Sequence, residues 1–423
     1  MTTTRKAKVM SWIDHMVWWH VYPLGMCGAP IRPPFGADAS AHRITMLENW
    51  LDYLIELGAN GLLLGPIFQS TSHGYDILDH FAVDPRLGDE ADFDHLIAAC
   101  HERGIRVACD GVFSHVSSRH PLVSEVLAAG PDSEHADLFD IDWEDPAGPT
   151  PRIFEGHGEL VRLNHAGAQA RAYATDVMTY WLERGIDAWR LDAAYSVPSD
   201  FWRDVIDPVR ARFPQAWLMG EVIHGDYTDM IEQCHFDSLT QYELWKAIWS
   251  SISDRNFFEL QWCLDRHNHF LDSFTPQTFI GNHDVTRIAS QIGSQHVGVA
   301  LAIVMTVGGI PSIYYGDEQG YTGIKTDELG GDDQVRPSFP DLPEHLSNLG
   351  ESVFQTHQAL IALRRQHPWL VHARTQVCEV TNEQLSYRSS ADGHTICVFL
   401  DLHDSDAPHV TITEPGGQIL FAF

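Results

Sequence analysis

One apolar run of the sequence carries two opposite charges. In IDAWRLDAA (residues 186–194), Arg190 precedes Asp192 by two positions. Successive side chains of a β-strand point to opposite faces, so this pair would lie side by side on one face of a buried strand. Charged groups are costly to bury unless they are paired, and the run is therefore a candidate for a site of chemistry.

Three further apolar runs carry ionisable residues near their carboxyl ends. These residues are Asp110, Glu221, His283 and Asp284. If the runs are parallel strands of one barrel, their carboxyl ends meet at one mouth, and so do these side chains. Carboxylates crowded into one cavity are costly, which favours a catalytic purpose over strand capping.

The elements that must position these residues are eight strand-like runs separated by helical ones. The runs are MVWWHVYPL, ANGLLLGPI, IRVACDGVF, IDAWRLDAA, AWLMGEVI, FDSLTQY, QTFIGNHD and GIPSIYYGDE. Between the third and fourth, residues 168–185 place apolar side chains at a three-four spacing and stop at Gly185, which predicts an amphipathic helix. Eight strand-helix units predict an α/β fold of the (β/α)8 TIM-barrel type.

Two parts of the chain depart from this alternation. A loop-rich stretch after the third strand is too long for an ordinary connection and predicts an inserted subdomain, residues 116–167. After FQTHQALIALRRQHPWL the chain changes to short alternating segments, which predict a small carboxy-terminal β domain, residues 368–423. The catalytic barrel would then comprise residues 1–115 and 168–367.

Composition limits the partners and the compartment. The chain has 58 acidic and 27 basic residues, a formal net charge of −31, which disfavours nucleic acid and anionic membranes as partners. No run approaches the length of a membrane span, and the amino-terminal residues lack a continuous apolar signal core. Seven scattered cysteines without a CxxC pair fit a reducing compartment. We therefore expect a cytoplasmic protein with a small-molecule substrate, as a monomer or a homo-oligomer.

Four segments, in their order and at their strand ends, resemble the signature regions of the α-amylase family of glycoside hydrolases. They are DGVFSH (110–115), GIDAWRLDAA (185–194), GEVI (220–223) and FIGNHD (279–284). HGYDILDHFAVDPRLG and GIPSIYYGDEQG are similar to further family segments, and LVRLN (160–164) resembles the neopullulanase and cyclomaltodextrinase branch. The motif style is also that of the α-glucosidase branch, and the resemblance spans roughly residues 15–365.

The resemblance implies a role for each carboxylate. Asp192 would be the nucleophile that forms a covalent glycosyl-enzyme, Glu221 the general acid and base, and Asp284 the group that holds the sugar hydroxyls and stabilises the oxocarbenium-like transition state. Retaining glycosidases hold two carboxyl groups about 5 to 5.5 Å apart for this purpose. Arg190 is expected to lower the pKa of Asp192 and keep it ionised.

The resemblance also implies a set of residues that bind the substrate. His115 and His283 would help Asp284, and Tyr75 would offer a ring face to the sugar. We further expect Arg336, in GGDDQVRP (330–337), to pair with Asp76 and close the pocket behind the first sugar.

Departures from the family pattern bear on metals and on substrate size. Ser114 stands where calcium-dependent amylases have an asparagine that binds the metal, and HNH (267–269) lacks metal-ligand spacing. The resemblance would allow calcium, but we expect no metal and no cofactor. Tyr195 and Ser196 replace a lysine-histidine pair that contacts further sugars in many amylases, which argues against a long polymer as substrate. Ala193 resembles the α-1,4-specific members.

Three functional hypotheses follow. The first is a retaining hydrolase of short, α-1,4-linked gluco-oligosaccharides. The second is a transglycosylase or disaccharide-interconverting enzyme with the same residues, which differs only in the access of water to the glycosyl-enzyme. The third is a different class: a non-catalytic binding relative, or a barrel metallohydrolase that uses Asp110, His115, Glu221 and His283.

Overall fold

Eight parallel strands form a single closed sheet in the computed structural model, which describes residues 12–33 and 41–423. The strands are β1 (Trp18–Val21), β2 (Gly61–Leu64), β3 (Arg106–Gly111), β4 (Ala188–Leu191), β5 (Trp217–Gly220), β6 (Ser238–Leu239), β7 (Gln277–Phe279) and β8 (Ile310–Tyr314). They neighbour one another in the order β6-β5-β4-β3-β2-β1-β8-β7, and a parallel bridge between Thr240 and Gln277 joins β6 to β7. Each lies within one of the eight predicted runs, and the barrel is confirmed.

Helices follow the strands and cover the barrel. They are Pro23–Met26, Leu51–Leu57, Glu90–Glu102, Pro121–Ala129, Ala168–Arg184, Ser199–Arg212, Tyr227–Cys234, Tyr242–Ser253, Phe258–Phe270, Ile288–Ile292, Val297–Thr306 and Glu351–Gln366. The helix predicted after β3 runs from Ala168 to Arg184, and Gly185 ends it with a φ of 113°, a conformation that glycine adopts without strain. Among the described residues, no helix has both the length and the apolarity of a membrane span.

The barrel interior changes from apolar to charged along the strands. At the amino-terminal end, Trp18 of β1 stacks on Trp217 of β5 at 5.7 Å between ring centroids. Gly61 makes room for this floor, because a Cβ there would lie 2.4 Å from Trp18. His20 lies two residues after Trp18 on β1, and Arg190 lies two residues after Ala188 on β4, so both point into the barrel above this floor. The apolar floor thus supports a polar layer at the carboxyl end.

The segment between β3 and its helix forms a small sheet of its own. Strand His115–Ser117 pairs antiparallel with His157–Arg162, which pairs in turn with Ile153–Phe154. Another short pair joins Ile141–Asp142 to Thr150–Pro151. These elements form the loop-rich insertion predicted after the third strand, and we propose residues 116–167 as its limits.

Five antiparallel strands end the chain. They are β9 (Arg374–Val380), β10 (Gln384–Ala391), β11 (His394–Asp401), β12 (His409–Thr413) and β13 (Ile419–Ala422), and each pairs with the next. Buried residues such as Leu385, Val398 and Ile412 alternate with more exposed ones, the pattern of a sheet with one packed face. The predicted carboxy-terminal β domain is present, and its start at residue 368 remains a proposal.

The amino-terminal segment was predicted to lack an apolar signal core. Its residues 1–11, which include the basic ones, lie outside the described part of the chain.

Candidate active site

The carboxyl ends of the strands bring the predicted ionisable residues to one mouth. Asp110 is the last residue but one of β3. Asp192 directly follows β4, and Glu221 directly follows β5. Asp284 follows β7 by five residues, on the loop that also carries His283. In the sheet register Arg190 lies directly opposite Asp110 on the neighbouring strand, so the two side chains share the barrel interior.

Arg190 is the centre of this cluster and is only 3% exposed. Its Nη1 lies 2.7 and 2.5 Å from the two carboxylate oxygens of Asp110, and 3.3 Å from Oδ1 of Asp192. Its Nη2 lies 2.5 Å from Oε1 of Glu221. One guanidinium therefore holds three carboxylates from three strands, a geometry that its planar fork of donors allows.

The pKa of Asp192 differs from the expectation. Burial raises it, the neighbouring Glu221 carboxylate raises it further, and Arg190 opposes both without reversing them, so the pKa of Asp192 lies well above its ordinary value. Arg190 lowers this pKa, as predicted, but it does not bring the pKa down to its ordinary value. The reason is geometric, because the closest contacts of Arg190 are with Asp110 and Glu221 and only the longest is with Asp192.

Three donors fix the carboxylate of Glu221. Besides Arg190, the hydroxyl of Tyr242 donates to Oε1 at 2.9 Å and the backbone N–H of Ala193 donates to Oε2 at 3.0 Å. The amide of Asn282 donates to the Tyr242 oxygen at 2.8 Å and so holds the tyrosine in place. Ala193 has φ 44° and ψ 38°, a left-handed conformation that costs a non-glycine residue about 1–2 kcal/mol.

Asp284 has a different environment. Nε2 of His283 lies 2.9 Å from its Oδ2, and Nη2 of Arg336 lies 2.9 Å from its Oδ1. Burial alone would raise the pKa of Asp284, but His283 and Arg336 outweigh it and hold the pKa well below its usual range. Asp284 is therefore a fixed anion at the mouth, with a side chain that is 32% exposed.

Tyr75 and His283 form a stacked aromatic wall. Their rings are 5.3 Å apart and nearly parallel, and the Tyr75 hydroxyl donates to Asp110 at 2.9 Å and contacts Nε2 of His283. His115 contacts the Tyr75 carbonyl at 3.0 Å, and burial lowers its pKa to about 3, so the ring is neutral. Phe154 of the inserted segment lies over His115 at 4.3 Å.

Arg336 does not pair with Asp76, contrary to the expectation. Its Nε donates to the carbonyl of His283 at 3.0 Å, its Nη2 contacts Asp284, and its guanidinium lies 4.6 Å from the centre of the Tyr22 ring. Asp76 instead accepts hydrogen bonds from the backbone and hydroxyl of Ser72 at 3.0 and 2.6 Å. The hydrogen bonds from Ser72 hold Asp76 on its own loop, and Arg336 forms an ion pair with Asp284 instead.

A second wall lies on the side of Glu221. Tyr195 follows the nucleophile candidate by three residues, His224 follows Glu221 by three, and their rings are 5.0 Å apart. The Tyr195 hydroxyl donates to Glu155 of the inserted segment at 3.1 Å. Burial raises the pKa of Tyr195, and the carboxylates of Glu155, Glu221 and Asp192 raise it further.

Sequence reasoning missed several of these groups. Asn282 lies inside the motif FIGNHD, and its position directly before the candidates His283 and Asp284 was a usable signal. The sequence gives no signal for the other two groups. Tyr242 begins a helix after β6, outside the motifs, and Ala193 contributes its backbone N–H and not its side chain.

The residues do not favour a metal at this mouth. The Ser114 hydroxyl lies 2.8 Å from Nδ1 of its neighbour His115, so the oxygen that replaces the asparagine is already hydrogen-bonded within the protein. Asp110 and Glu221 both contact the Arg190 guanidinium, which occupies the place that a cation between them would take. In the described part of the chain, one group with metal-ligand spacing occurs, His42 with Asp89 and Asp92, at the first turn of helix Glu90–Glu102. Among the residues that the structure describes, Asp110, His115, Glu221 and His283 do not form a group with metal-ligand spacing.

Comparison with known proteins gives one family. Residues 46–341 match the family model of the α-amylase catalytic domain. The chain is 30% identical over 418 residues to a cyclomaltodextrinase of Geobacillus thermopakistaniensis (strain MAS1), covering 92% of this chain and 69% of that protein. It is 26% identical over 432 residues to an intracellular maltogenic amylase of Bacillus subtilis (strain 168), covering 95% and 71%. A cyclic α-maltosyl-(1→6)-maltose hydrolase structure from Arthrobacter globiformis shares the fold, with a TM-score of 0.80 at 22% identity over 97% of this chain and 99% of that one.

Proposed function

Because this chain belongs to the α-amylase family of glycoside hydrolases, an enzyme family, we propose that it cleaves short α-linked gluco-oligosaccharides with retention of anomeric configuration. The observation that carries the proposal is the convergence of Asp192, Glu221 and Asp284 on one mouth, with the first two held by Arg190. Relatives whose names specify cyclomaltodextrins or maltose support α-linked oligosaccharides as the substrate class.

The geometry supports a two-step reaction. In the first step an oxygen of ionised Asp192 attacks the anomeric carbon, while Glu221 donates its proton to the leaving oxygen and the glycosidic bond breaks. In the second step Glu221 takes a proton from water, the water oxygen attacks the same carbon, and the bond to Asp192 breaks. Burial and the neighbouring Glu221 carboxylate raise the pKa of Asp192, and Arg190 opposes them by favouring the ionised form that the first step needs.

Asp284 and its supports would bind the first sugar. Its carboxylate can accept hydrogen bonds from two sugar hydroxyls, and each charge-assisted bond contributes about 1.5–3 kcal/mol. As a fixed anion it also stabilises the positive charge that develops on the sugar in the transition state. Tyr75 and His283 would form the wall beside the sugar ring.

Short substrates fit the narrow mouth. Phe154 lies over His115 and Glu155 reaches Tyr195, so the inserted segment covers the site from the end of β3 to the end of β4. Buried side chains line it, Glu221 being 6% and Arg336 9% exposed. We expect maltose to maltotetraose to be cleaved with higher kcat/KM than soluble starch, and α-1,4 linkages to be preferred.

The proposal is tested with Asp192→Asn and Glu221→Gln. Asp192→Asn should abolish turnover of maltose with the fold intact, because an amide cannot act as the nucleophile. Glu221→Gln should slow maltose far more than α-glucosyl fluoride, whose leaving group needs no proton. Proton NMR should show the α-anomer as the first product. Asp200→Asn, in a surface ion pair with Arg171, is the matched control. More than about a tenth of the wild-type rate in Asp192→Asn, or a β-anomer, would overturn the assignment.

The wall of Tyr195 and His224 supports a second candidate, transglycosylation. The proton donor must face the leaving group, so a wall beside Glu221 lies where the departing or accepting sugar would bind. A sugar held there competes with water for the glycosyl-enzyme. Incubation with maltotriose separates the two, since products longer than the substrate form only by transfer.

A further inference from the structure

A cavity at the opposite end of the barrel carries unpaired positive charge. It lies beside the amino-terminal ends of β1 and β8, has a volume of about 160 Å³, and is lined by Asp14, His15, Gly309, Arg364 and Arg365 among others. That is roughly ten times the volume a single water needs. The proposed reaction uses none of these residues.

Arg364 is the buried member of this lining, with 5% exposure. Its Nη1 donates to the carbonyls of Met305 and Val307 at 3.1 and 2.6 Å, and its Nη2 donates to the carbonyl of Gly309 at 2.6 Å. A guanidinium has five N–H donors, and these three bonds use three of them. The other two N–H groups have no partner among the described residues. Burial lowers the pKa of Arg364 to about 9, with no carboxylate to oppose it.

Arg365 brings a second positive charge to the same cavity. Its Nη1 donates to the carbonyl of Gly58 at 2.8 Å, and within residues 12–33 and 41–423 it forms no ion pair. Most described arginines of this acidic chain do pair with a carboxylate, so two adjacent unpaired ones are unusual. The acidic residue of the lining, Asp14, lies 3.7 Å from His372.

We propose that this cavity binds a small oxyanion of the phosphate class. The free N–H groups of Arg364 can donate to two oxygens of one anion, the arrangement in which arginine recognises phosphate, and Arg365 adds a charge at the rim. The net charge of −31 does not prevent this, because charges farther than about 8 Å are largely screened at physiological ionic strength. The source is inorganic phosphate or the phosphate group of a small monoester.

Binding at this place would stabilise the fold. The anion would join helix Glu351–Gln366, which carries both arginines, to the start of β8 and the segment before β1. A ligand that binds only the folded state raises the melting temperature in proportion to the logarithm of its concentration above Kd.

The test is thermal unfolding of the whole chain in inorganic phosphate, in glucose 6-phosphate and in chloride at matched ionic strength, with Kd from calorimetry. Wild type should melt higher in phosphate than in chloride. Arg365→Gln should weaken phosphate binding about tenfold, while Asp14→Asn should strengthen it several-fold by removing a repulsive charge. Arg388→Gln is the matched control and should bind like wild type, because Arg388 is exposed and has no ion pair with any residue that the structure describes.

Two outcomes would overturn the proposal. One is an equal melting temperature in phosphate and chloride, and the other is an equal response of Arg365→Gln and Arg388→Gln. A larger effect of glucose 6-phosphate than of inorganic phosphate supports a monoester as ligand, and an equal effect supports the phosphate group alone. Arg364→Lys keeps the positive charge but lacks the planar set of guanidinium donors, so it should also bind phosphate more weakly. If this variant does not fold, Asp14→Asn and Arg365→Gln still test the proposal.

Discussion

Replacement of Arg336 by alanine tests how the first sugar is held. Arg336 reaches Asp284 at 2.9 Å and Asp332 at 3.1 Å and is buried over Tyr22. The lost bond to Asp284 is charge-assisted and contributes about 1.5–3 kcal/mol, which corresponds to a fall in kcat/KM of roughly ten- to 150-fold. Arg336→Lys keeps one charge without the second donor and should fall less.

The same change should alter the pH dependence of stability. His283 and Arg336 together hold the pKa of Asp284 well below its ordinary value, against the effect of burial. A carboxyl whose pKa is lowered in the folded protein stabilises the fold at pH values above its pKa in the unfolded chain. This stabilisation is lost as the pH falls through the folded pKa. Without Arg336 that folded pKa rises, so the contribution of Asp284 to the free energy of unfolding should be lost at a higher pH in urea titrations.

The assay compares maltose and α-glucosyl fluoride over a pH series. Both substrates place the same sugar against Asp284, so both should lose activity to a similar extent. Arg32→Ala is the matched control, because Arg32 pairs with Asp333 of the same loop at 3.1 Å on its exposed side. Unchanged maltose turnover in Arg336→Ala, or an equal loss in Arg32→Ala, would refute the reasoning.

Four further outcomes are expected. Activity should survive prolonged treatment with EDTA, and restoration by calcium of a lost activity would contradict our interpretation of Ser114. Ala193→Val should lower the free energy of unfolding in urea by about 1–3 kcal/mol, while Ala193→Gly should not, because a β-branched residue tolerates positive φ poorly. Tyr195→Ala should reduce kcat/KM about tenfold more for maltose than for α-glucosyl fluoride, which lacks a leaving sugar, and equal losses would remove Tyr195 from the leaving-group side. Burial raises the pKa of Glu318 to about 7, so its native form holds a proton that the unfolded chain releases; stability should fall as pH rises from about 4.5 to 7, and Glu318→Gln should flatten that slope in urea titrations at several pH values.

The barrel could be predicted from the sequence because each strand is a short apolar run between helical segments. The alternation of side chains also placed Arg190 and Asp192 on one face, and the structure keeps them there. The partner of Arg336 could not be predicted, because it depends on the path of the loop after β8. A buried pair between Arg287 and Asp317, at 2.9 Å, fixes the start of that loop, and no periodicity in the sequence reveals this contact.

Asp192 and Asp284 differ in pKa because their charged neighbours differ. Residues two apart on a strand share a face, yet Arg190 approaches Asp192 only to 3.3 Å, whereas it lies 2.5 Å from Asp110, its partner in the sheet register. Asp192 therefore shares one cation with two competitors and keeps a raised pKa, while Asp284 has two positively polarised neighbours and a low one. Burial and the neighbouring carboxylates thus favour the protonated form of Asp192 against the effect of Arg190, whereas His283 and Arg336 retain a negative charge at Asp284. A retaining glycosidase requires an acid and a stabilising anion within one mouth. The sheet register places Arg190 against Asp110, and the loops after β7 and β8 place Asp284 against His283 and Arg336.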